Sequence, residues 1–236
     1  MEQPFSFRPS LLGSPRDQDA FRSPGRVAKI LGAVYVLELA ASLFLAVLLW
    51  QVLTSIEELR AGQSIAEEDW IALGGRFAEL RTSLLVTGVI AIVGLAVWTH
   101  RITANAASFA GATSQSPGWA AASYFIPVLN WWRPYVAVTE AWDASDPDGG
   151  DAHRRGARGL LAVWWAFFLL SGWGALIQGH VGQGDDLDAW VRDVRISLIA
   201  LAVQMIATVL TLIVVRRLSR RQDERFRARI PTATAL

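Results

Sequence analysis

The side chains that most often carry out chemistry are scarce in this chain. It has no cysteine, and its three histidines, His100, His153 and His180, lie far apart in the sequence. The absence of cysteine excludes disulfides, thiolate metal sites and a cysteine nucleophile. Histidines without a spacing such as HExxH do not predict a metal site, and no GxSxG or Walker A pattern is present. We therefore predict no catalytic residue, no metal and no cofactor, and a protein that is not an enzyme.

Glu38 is the one acidic residue within a long apolar run, residues 30–52. If a membrane helix begins at residue 30, Glu38 lies roughly 12 Å along it. A carboxyl at that depth costs about 2.5 to 3.5 kcal/mol on insertion scales, so it is expected to face other helices and a polar partner. Two interpretations remain open. Glu38 is either a site for a proton, a cation or a substrate amine, or a paired carboxyl that locks the helix to a neighbour, with Arg133 as one candidate partner.

The other candidate residues for binding a ligand or partner lie in one segment rich in tryptophan and proline. They are Arg101, Asn105, Trp119, Asn130, Trp131, Trp132, Arg133 and Glu140, with Pro127 and Pro134 as predicted helix breaks. Arg101 and Asn105 are four residues apart, so on a helix they share a face, where they either hold the segment by hydrogen bonds or bind a headgroup. Arg133 either pairs with Glu38 or extends its stem outward to lipid phosphate.

The elements that position these residues are predicted from apolar runs. Of the 236 residues 53% are hydrophobic and only 18% are charged, with a mean hydropathy of +0.32. Four runs are long enough to span a membrane as helices. They are residues 30–52, 82–99, 159–177 and 196–215. The sequence therefore predicts an all-α, polytopic membrane bundle of four transmembrane helices.

The basic residues predict the orientation of these helices. Seventeen of the 22 lie before the first run, between the second and third, or after the fourth. Cytoplasmic loops carry an excess of arginine and lysine, so both termini and the middle loop are predicted to be cytoplasmic. The formal net charge is only +1, which argues against nucleic acid as a partner.

Residues 118–142 are apolar enough to enter a membrane, but Pro127 and Pro134 interrupt any continuous helix. A fifth crossing here would place the arginine-rich C-terminal tail outside, against the charge bias. Two alternatives keep the orientation: a re-entrant segment whose broken backbone is buried in protein, or two short helices in the headgroup layer anchored by tryptophans.

The same segment carries a recognisable pattern. It reads W-x-x-R-x-x-x-N-A from Trp98, then S-P-G-W from Ser116, P-x-x-N-x-W-R-P from Pro127, and Glu140-Ala-Trp142. This pattern resembles the bacterial membrane family catalogued as domain of unknown function 4328, sharply over residues 98–147. The resemblance implies a multi-pass membrane protein, and it implies no activity.

Taken together, the sequence predicts three regions. Residues 1–29 form a polar cytoplasmic tail without order, residues 30–215 form the transmembrane domain with motif segment 98–147, and residues 216–236 form a basic cytoplasmic tail. We expect a bacterial inner-membrane protein that binds lipids, another membrane protein or a second copy of itself. The alternative is a small transporter or channel subunit that uses Glu38, Gln204 and a re-entrant motif segment.

Overall fold

The computed structural model describes residues 21–64, 66–111, 113–146, 151–178 and 186–229, and within these ranges the chain is helical with no strand. The helices are α1 Gly25–Arg60, α2 Glu67–Ala110, α3 Pro117–Ala122, α4 Arg133–Ser145, α5 Asp151–Gln178 and α6 Leu187–Arg229, with two 3-10 turns, Ser123–Phe125 and Leu129–Trp131, between α3 and α4. This confirms the predicted all-α fold over the described residues. The remaining parts of the predicted tails, residues 1–20 and 230–236, lie outside them.

Local signals set the helix boundaries. Gly111 follows the end of α2 with φ +83°, a left-handed conformation that glycine adopts without a steric cost, and its N–H donates to the Ala107 carbonyl. The α3 helix starts after Ser116, whose hydroxyl accepts from the Trp119 N–H, and has a proline in its first turn.

The four long helices pack side by side in the order α2, α1, α6, α5, because α1 contacts both α2 and α6, and α6 contacts α5. The short helices α3 and α4 lie against α2, and α4 also contacts α5 and α6. Phe21, just before α1, stacks on Phe226 near the end of α6, with ring centroids 4.1 Å apart. The start of α1 and the end of α6 therefore lie at the same end of the bundle.

Two buried apolar clusters hold the bundle together. The larger one lies beside α3 and α4 and includes Leu31, Trp98, Trp142, Trp164 and Leu218. The smaller one lies towards the opposite end, where an ion pair joins Arg60 of α1 to Asp188 of α6. Its buried members include Leu49, Ile56, Val191 and Val194. Each cluster draws residues from helices that are distant in sequence.

The outer surface of the long helices is strongly apolar. Large apolar side chains stand outward on all four of them, and Leu37 and Trp50 on α1, Leu85 on α2 and Ile199 on α6 are each more than 55% exposed. A water-soluble protein rarely exposes such an extended apolar surface. Three helices, α1, α2 and α6, are long and apolar enough to cross a membrane, which indicates a membrane protein.

The predicted spans lie within longer helices. The α2 helix begins at Glu67, fifteen residues before its predicted span, and α6 continues without a break from the span 196–215 to Arg229. The helix α5 contains the predicted span 159–177, but it is not among the three helices above. Over the described residues, length and composition thus give three candidate membrane-crossing helices, and α5 is not one of them.

Candidate functional site

The motif segment forms a hairpin of two short helices, and we call residues 117–145, from α3 through α4, the motif hairpin. Pro127 lies in the turn between the two 3-10 turns. Pro134 lies in the first turn of α4, where backbone N–H groups have no acceptor within the helix, so the N–H that proline lacks is not needed. Both prolines thus fall where the helix is interrupted, and Pro134 starts the second helix.

Two hydrogen bonds attach the hairpin to neighbouring long helices, and two more attach it to the loop that precedes it. The Tyr124 and Thr99 hydroxyls are 3.1 Å apart and both are buried. The indole N–H of Trp165 on α5 donates to the Trp131 carbonyl at 2.7 Å. The Gln115 amide donates to the Arg133 carbonyl at 2.9 Å, and the Ser114 N–H donates to Glu140 at 3.0 Å. The hairpin is therefore anchored to both α2 and α5.

Burial raises the pKa of the Tyr124 phenol well above its usual value, and the hydrogen bond with Thr99 opposes this only in part. The phenol is therefore neutral at physiological pH. It serves as a fixed hydrogen-bonding group at the junction between α2 and the hairpin.

The hairpin has one buried face and one exposed apolar face. Tyr124, Val138, Ala141 and Trp142 belong to the larger cluster. The opposite face carries a set of apolar side chains that are 47–67% exposed, which we call the aromatic row: Trp119, Phe125, Val128, Trp131 and Trp132. This set includes three of the sequence-predicted binding residues.

The other predicted residues of the hairpin, Asn130, Arg133 and Glu140, are half-buried. The Arg133 carbonyl accepts the Gln115 bond. Asn130 keeps its side-chain carbonyl oxygen buried, with no hydrogen-bond partner among the described residues. Glu140 fixes the loop before α3 through Ser114, beside a depression of about 480 Å³ that also includes Asp143 and Arg225.

Asn105 lies at the centre of a polar cluster that the sequence did not reveal. Its side chain is fully buried, donates to the Gln222 amide oxygen at 2.9 Å, and exchanges two bonds with the backbone of Arg22. Gln222, also fully buried, donates in turn to the Ile102 carbonyl at 3.0 Å. This cluster fastens α2, α6 and the segment before α1 together. Asn105 therefore holds these three segments together through its hydrogen bonds. Arg101, one turn earlier on α2, is half-buried.

The basic end of α6 packs against the motif region. Arg221 stacks on Trp142, with its guanidinium carbon 4.5 Å from the ring centroid, and pairs with Asp146 at 3.2 Å. Arg225 and Arg229 both lie 5.0 Å from the centre of the Phe109 ring. The sequence alone assigns these arginines only to the orientation of the bundle. Their regular spacing of four residues was the available signal for one packed face.

Glu38 is buried between α1 and α6, and its partner is Gln204. The Gln204 amide donates to one carboxyl oxygen at 3.0 Å, and the second oxygen is buried without a hydrogen-bond partner among the described residues. No described ion pair joins Glu38 to Arg133. The structure thus corrects the suggested pairing and brings together the two polar residues, Glu38 and Gln204, that the transport alternative required.

The described residues contain no group of three or more histidine, aspartate or glutamate side chains placed to hold a metal ion. The hairpin presents exposed aromatic rings, a half-buried arginine and amide groups.

The chain matches the family described as Domain of unknown function (DUF4328) over residues 72–220. No curated protein and no solved structure matches the chain. The matched residues run from residue 72, in the second turn of α2, to Arg220 of α6 and include the whole motif hairpin, whereas α1 and Glu38 lie outside the match. Because the match covers more than half of the chain, the protein belongs to the family Domain of unknown function (DUF4328), as the tryptophan and proline pattern predicted.

Proposed function

We propose that the protein is a non-enzymatic integral membrane protein of the bacterial inner membrane that binds lipid at the cytoplasmic surface through the aromatic row of its motif hairpin. Four helices, α1, α2, α5 and α6, cross the membrane, and both termini are cytoplasmic. The observation that carries the proposal is the aromatic row itself, a set of exposed tryptophan and apolar side chains held on a hairpin that is anchored on its other face.

The positions of the long helices support four crossings. The start of α1 and the end of α6 lie together, as both termini on one side require. A crossing by α5, added to those of α1, α2 and α6, makes four crossings, and an even number returns the chain to the side on which it began. The basic residues cluster at the same end, which the charge bias identifies as cytoplasmic.

The depth of the hairpin favours the membrane interface over a deep re-entrant loop. Trp131 contacts Trp165, which is six residues, roughly 9 Å, past the predicted start of the third span. Tyr124 contacts Thr99, the last residue of the predicted second span. Interfacial helices insert by about 5–10 Å, so these contacts fit an amphipathic hairpin at the boundary between headgroups and acyl chains.

Spin labels test this depth directly, and the absence of cysteine makes single labels simple to introduce. Val128→Cys places the label at the tip of the hairpin, Val89→Cys places it on the exposed surface of α2, and Gln63→Cys places it in the loop between α1 and α2. We expect collision with oxygen and with a water-soluble nickel chelate to place the Val128 label just below the phosphates, the Val89 label deep, and the Gln63 label in water. A Val128 label in bulk water, at the membrane centre, or shielded from both quenchers by protein would contradict lipid binding by the row.

A second candidate function rests on Glu38. A buried carboxyl oxygen without a described partner, within a predicted span, is typical of ion and proton pathways. The Glu38–Gln204 pair would then line a polar path between α1 and α6. Ion or proton flux in proteoliposomes that depends on the protein and is abolished by Glu38→Gln would favour this function. Flux unchanged by Glu38→Gln would exclude Glu38 from it.

A further inference from the structure

A groove lies between the first turns of α1 and the last turns of α6, away from the motif hairpin. Its volume is about 460 Å³, and no residue of the hairpin lines it. Three cationic side chains border it: Lys29 from α1, and Arg216 and Arg220 from α6. The cations come from two helices that meet only in the folded bundle, so the sequence gives no sign of the groove.

The polarity of the groove changes in order along the helix axes. At one end it is lined by the apolar residues Ala33 and Val36, and in the middle by Lys29 and Arg216, which directly flank the predicted spans. Asp223 lies at the other end, seven residues or roughly 10 Å beyond Arg216 along α6. Apolar, cationic and acidic groups thus follow one another from the predicted membrane outward.

Small residues keep the groove open. Gly32 is buried in its floor, and a methyl group added there would find its nearest neighbour, Leu212, at 3.9 Å. Ser219, also in the lining, accepts the Trp98 indole N–H at 2.9 Å, which leaves its hydroxyl hydrogen available to donate. The ion pair between Arg220 and Glu224 is largely exposed and therefore weak, so Arg220 is able to turn towards an anion in the groove.

We propose that this groove binds one anionic glycerophospholipid of the cytoplasmic leaflet, of the class whose phosphate carries a polyol headgroup, as in phosphatidylglycerol. This proposal relies on the membrane orientation proposed above. Acyl chains lie along Ala33 and Val36, and the phosphate lies among Lys29, Arg216 and Arg220. Asp223 accepts a hydrogen bond from a headgroup hydroxyl.

The order of the lining groups selects this lipid class. Three cations and one carboxylate leave a positive groove, which matches a phosphate carrying one negative charge and disfavours a zwitterionic headgroup. Basic pockets between transmembrane helices on the cytoplasmic side are established sites for anionic headgroups. A free glycerol phosphate shares the headgroup chemistry but lacks the acyl chains that the apolar end accommodates.

Native mass spectrometry of the full chain released from nanodiscs tests the proposal. The nanodiscs contain equal amounts of phosphatidylglycerol and phosphatidylcholine, and the groove variant combines Lys29→Gln, Arg216→Gln and Arg220→Gln. The control variant, Arg26→Gln with Arg217→Gln and Arg227→Gln, removes the same charge from the same helices outside the groove lining. We expect the wild type and the control to retain one phosphatidylglycerol and the groove variant to lose about tenfold or more of this retention.

Three results would overturn the proposal. The first is equal retention of the two lipids by the wild type, which needs no variant and so does not depend on how a variant folds. The second is equal loss of retention in the groove and control variants. The third is displacement of the lipid by millimolar glycerol 1-phosphate, which would assign the site to a soluble ligand.

Failure of this inference is distinguishable from failure of the proposed function. If the wild type resists alkaline extraction from membranes but retains no phosphatidylglycerol, only the groove proposal is wrong. If alkaline treatment releases it without detergent, the membrane-spanning arrangement is wrong as well. A variant Asp223→Ala, which has no side-chain acceptor, that retains phosphatidylglycerol no better than phosphatidic acid would support the role of Asp223. An unchanged preference for phosphatidylglycerol would contradict that role.

Discussion

Tryptophans serve two different purposes in this protein, and their burial distinguishes them. Trp98 and Trp164 are completely buried, and their indole N–H groups donate to Ser219 and Thr211 of α6 at 2.9 and 3.0 Å. Trp119, Trp131 and Trp132 are instead about half-exposed on the hairpin. A large ring with one polar atom suits both settings. Of these five tryptophans, Trp98 and Trp164 are the two that bind α6 through hydrogen bonds.

At the residue scale, Asn105→Ala is expected to destabilise the protein and release the segment before α1. The substitution leaves the buried Gln222 amide oxygen and the Arg22 backbone without their partners, at a cost of about 1–3 kcal/mol. Thermal unfolding in detergent measures the loss, and limited trypsin digestion should cut faster after Arg22.

Ser108→Ala is the control for this prediction, because the Ser108 hydroxyl donates only to the Asn105 carbonyl of its own helix. We expect Ser108→Ala to leave cleavage after Arg22 unchanged. Equal cleavage of the wild type and Asn105→Ala would show that these bonds do not hold the segment.

At the element scale, the approach of α1 and α2 depends on Gly94. A methyl group added at Gly94 would lie 2.9 Å from a methyl carbon of Leu31, which is itself buried. Gly88, six residues earlier on α2, has nothing within 4 Å of such a methyl group. Both glycines belong to a set of small residues suited to close helix contact, but only Gly94 lies at a contact.

We therefore expect Gly94→Leu to lower the unfolding temperature in detergent, because overpacking a tight contact costs about 1–3 kcal/mol. Gly88→Leu adds the same side chain to the same helix in open space. It should leave the unfolding temperature unchanged or raise it, since leucine favours helix more than glycine does. Equal effects of the two substitutions would mean that α1 and α2 do not approach as the structure describes.

At the scale of the whole molecule, the number of crossings decides which side of the membrane each surface meets. Four crossings place the end of α6 in the cytoplasm, the groove beside α1 at the cytoplasmic surface of the membrane, and the loop between α1 and α2 outside. Five crossings, with the hairpin as a span, would separate the two termini. The stacking of Phe21 on Phe226 and the Arg22–Asn105 bonds favour an even number.

Thiol labelling of intact cells measures this arrangement. A membrane-impermeant maleimide should label Gln63→Cys, between α1 and α2, and should not reach Ala228→Cys near the end of α6, although both positions are exposed. Permeabilised cells should show labelling at both positions, which confirms that Ala228→Cys is reactive. Labelling of Ala228→Cys in intact cells would refute the four-crossing arrangement.

The sequence by itself determined the features that depend on local composition. Apolar runs predicted helices that the structure contains, because backbone hydrogen bonds within a helix satisfy a chain that lipid surrounds. The two prolines predicted the interruption between α3 and α4. Proline lacks an N–H and clashes with the preceding turn of a helix, so its effect on the backbone is local. The pattern from Trp98 to Trp142 predicted the family, because residue types and their spacing can be read directly along the sequence.

Only the tertiary structure decided which distant residues meet. Glu38 pairs with Gln204, Asn105 with Gln222, and Lys29 shares a groove with Arg216, across separations of more than a hundred residues. Such pairs depend on the rotation and height of each helix relative to its neighbours. Packing of the whole bundle fixes both quantities, because a small rotation of one helix would bring a different face into contact.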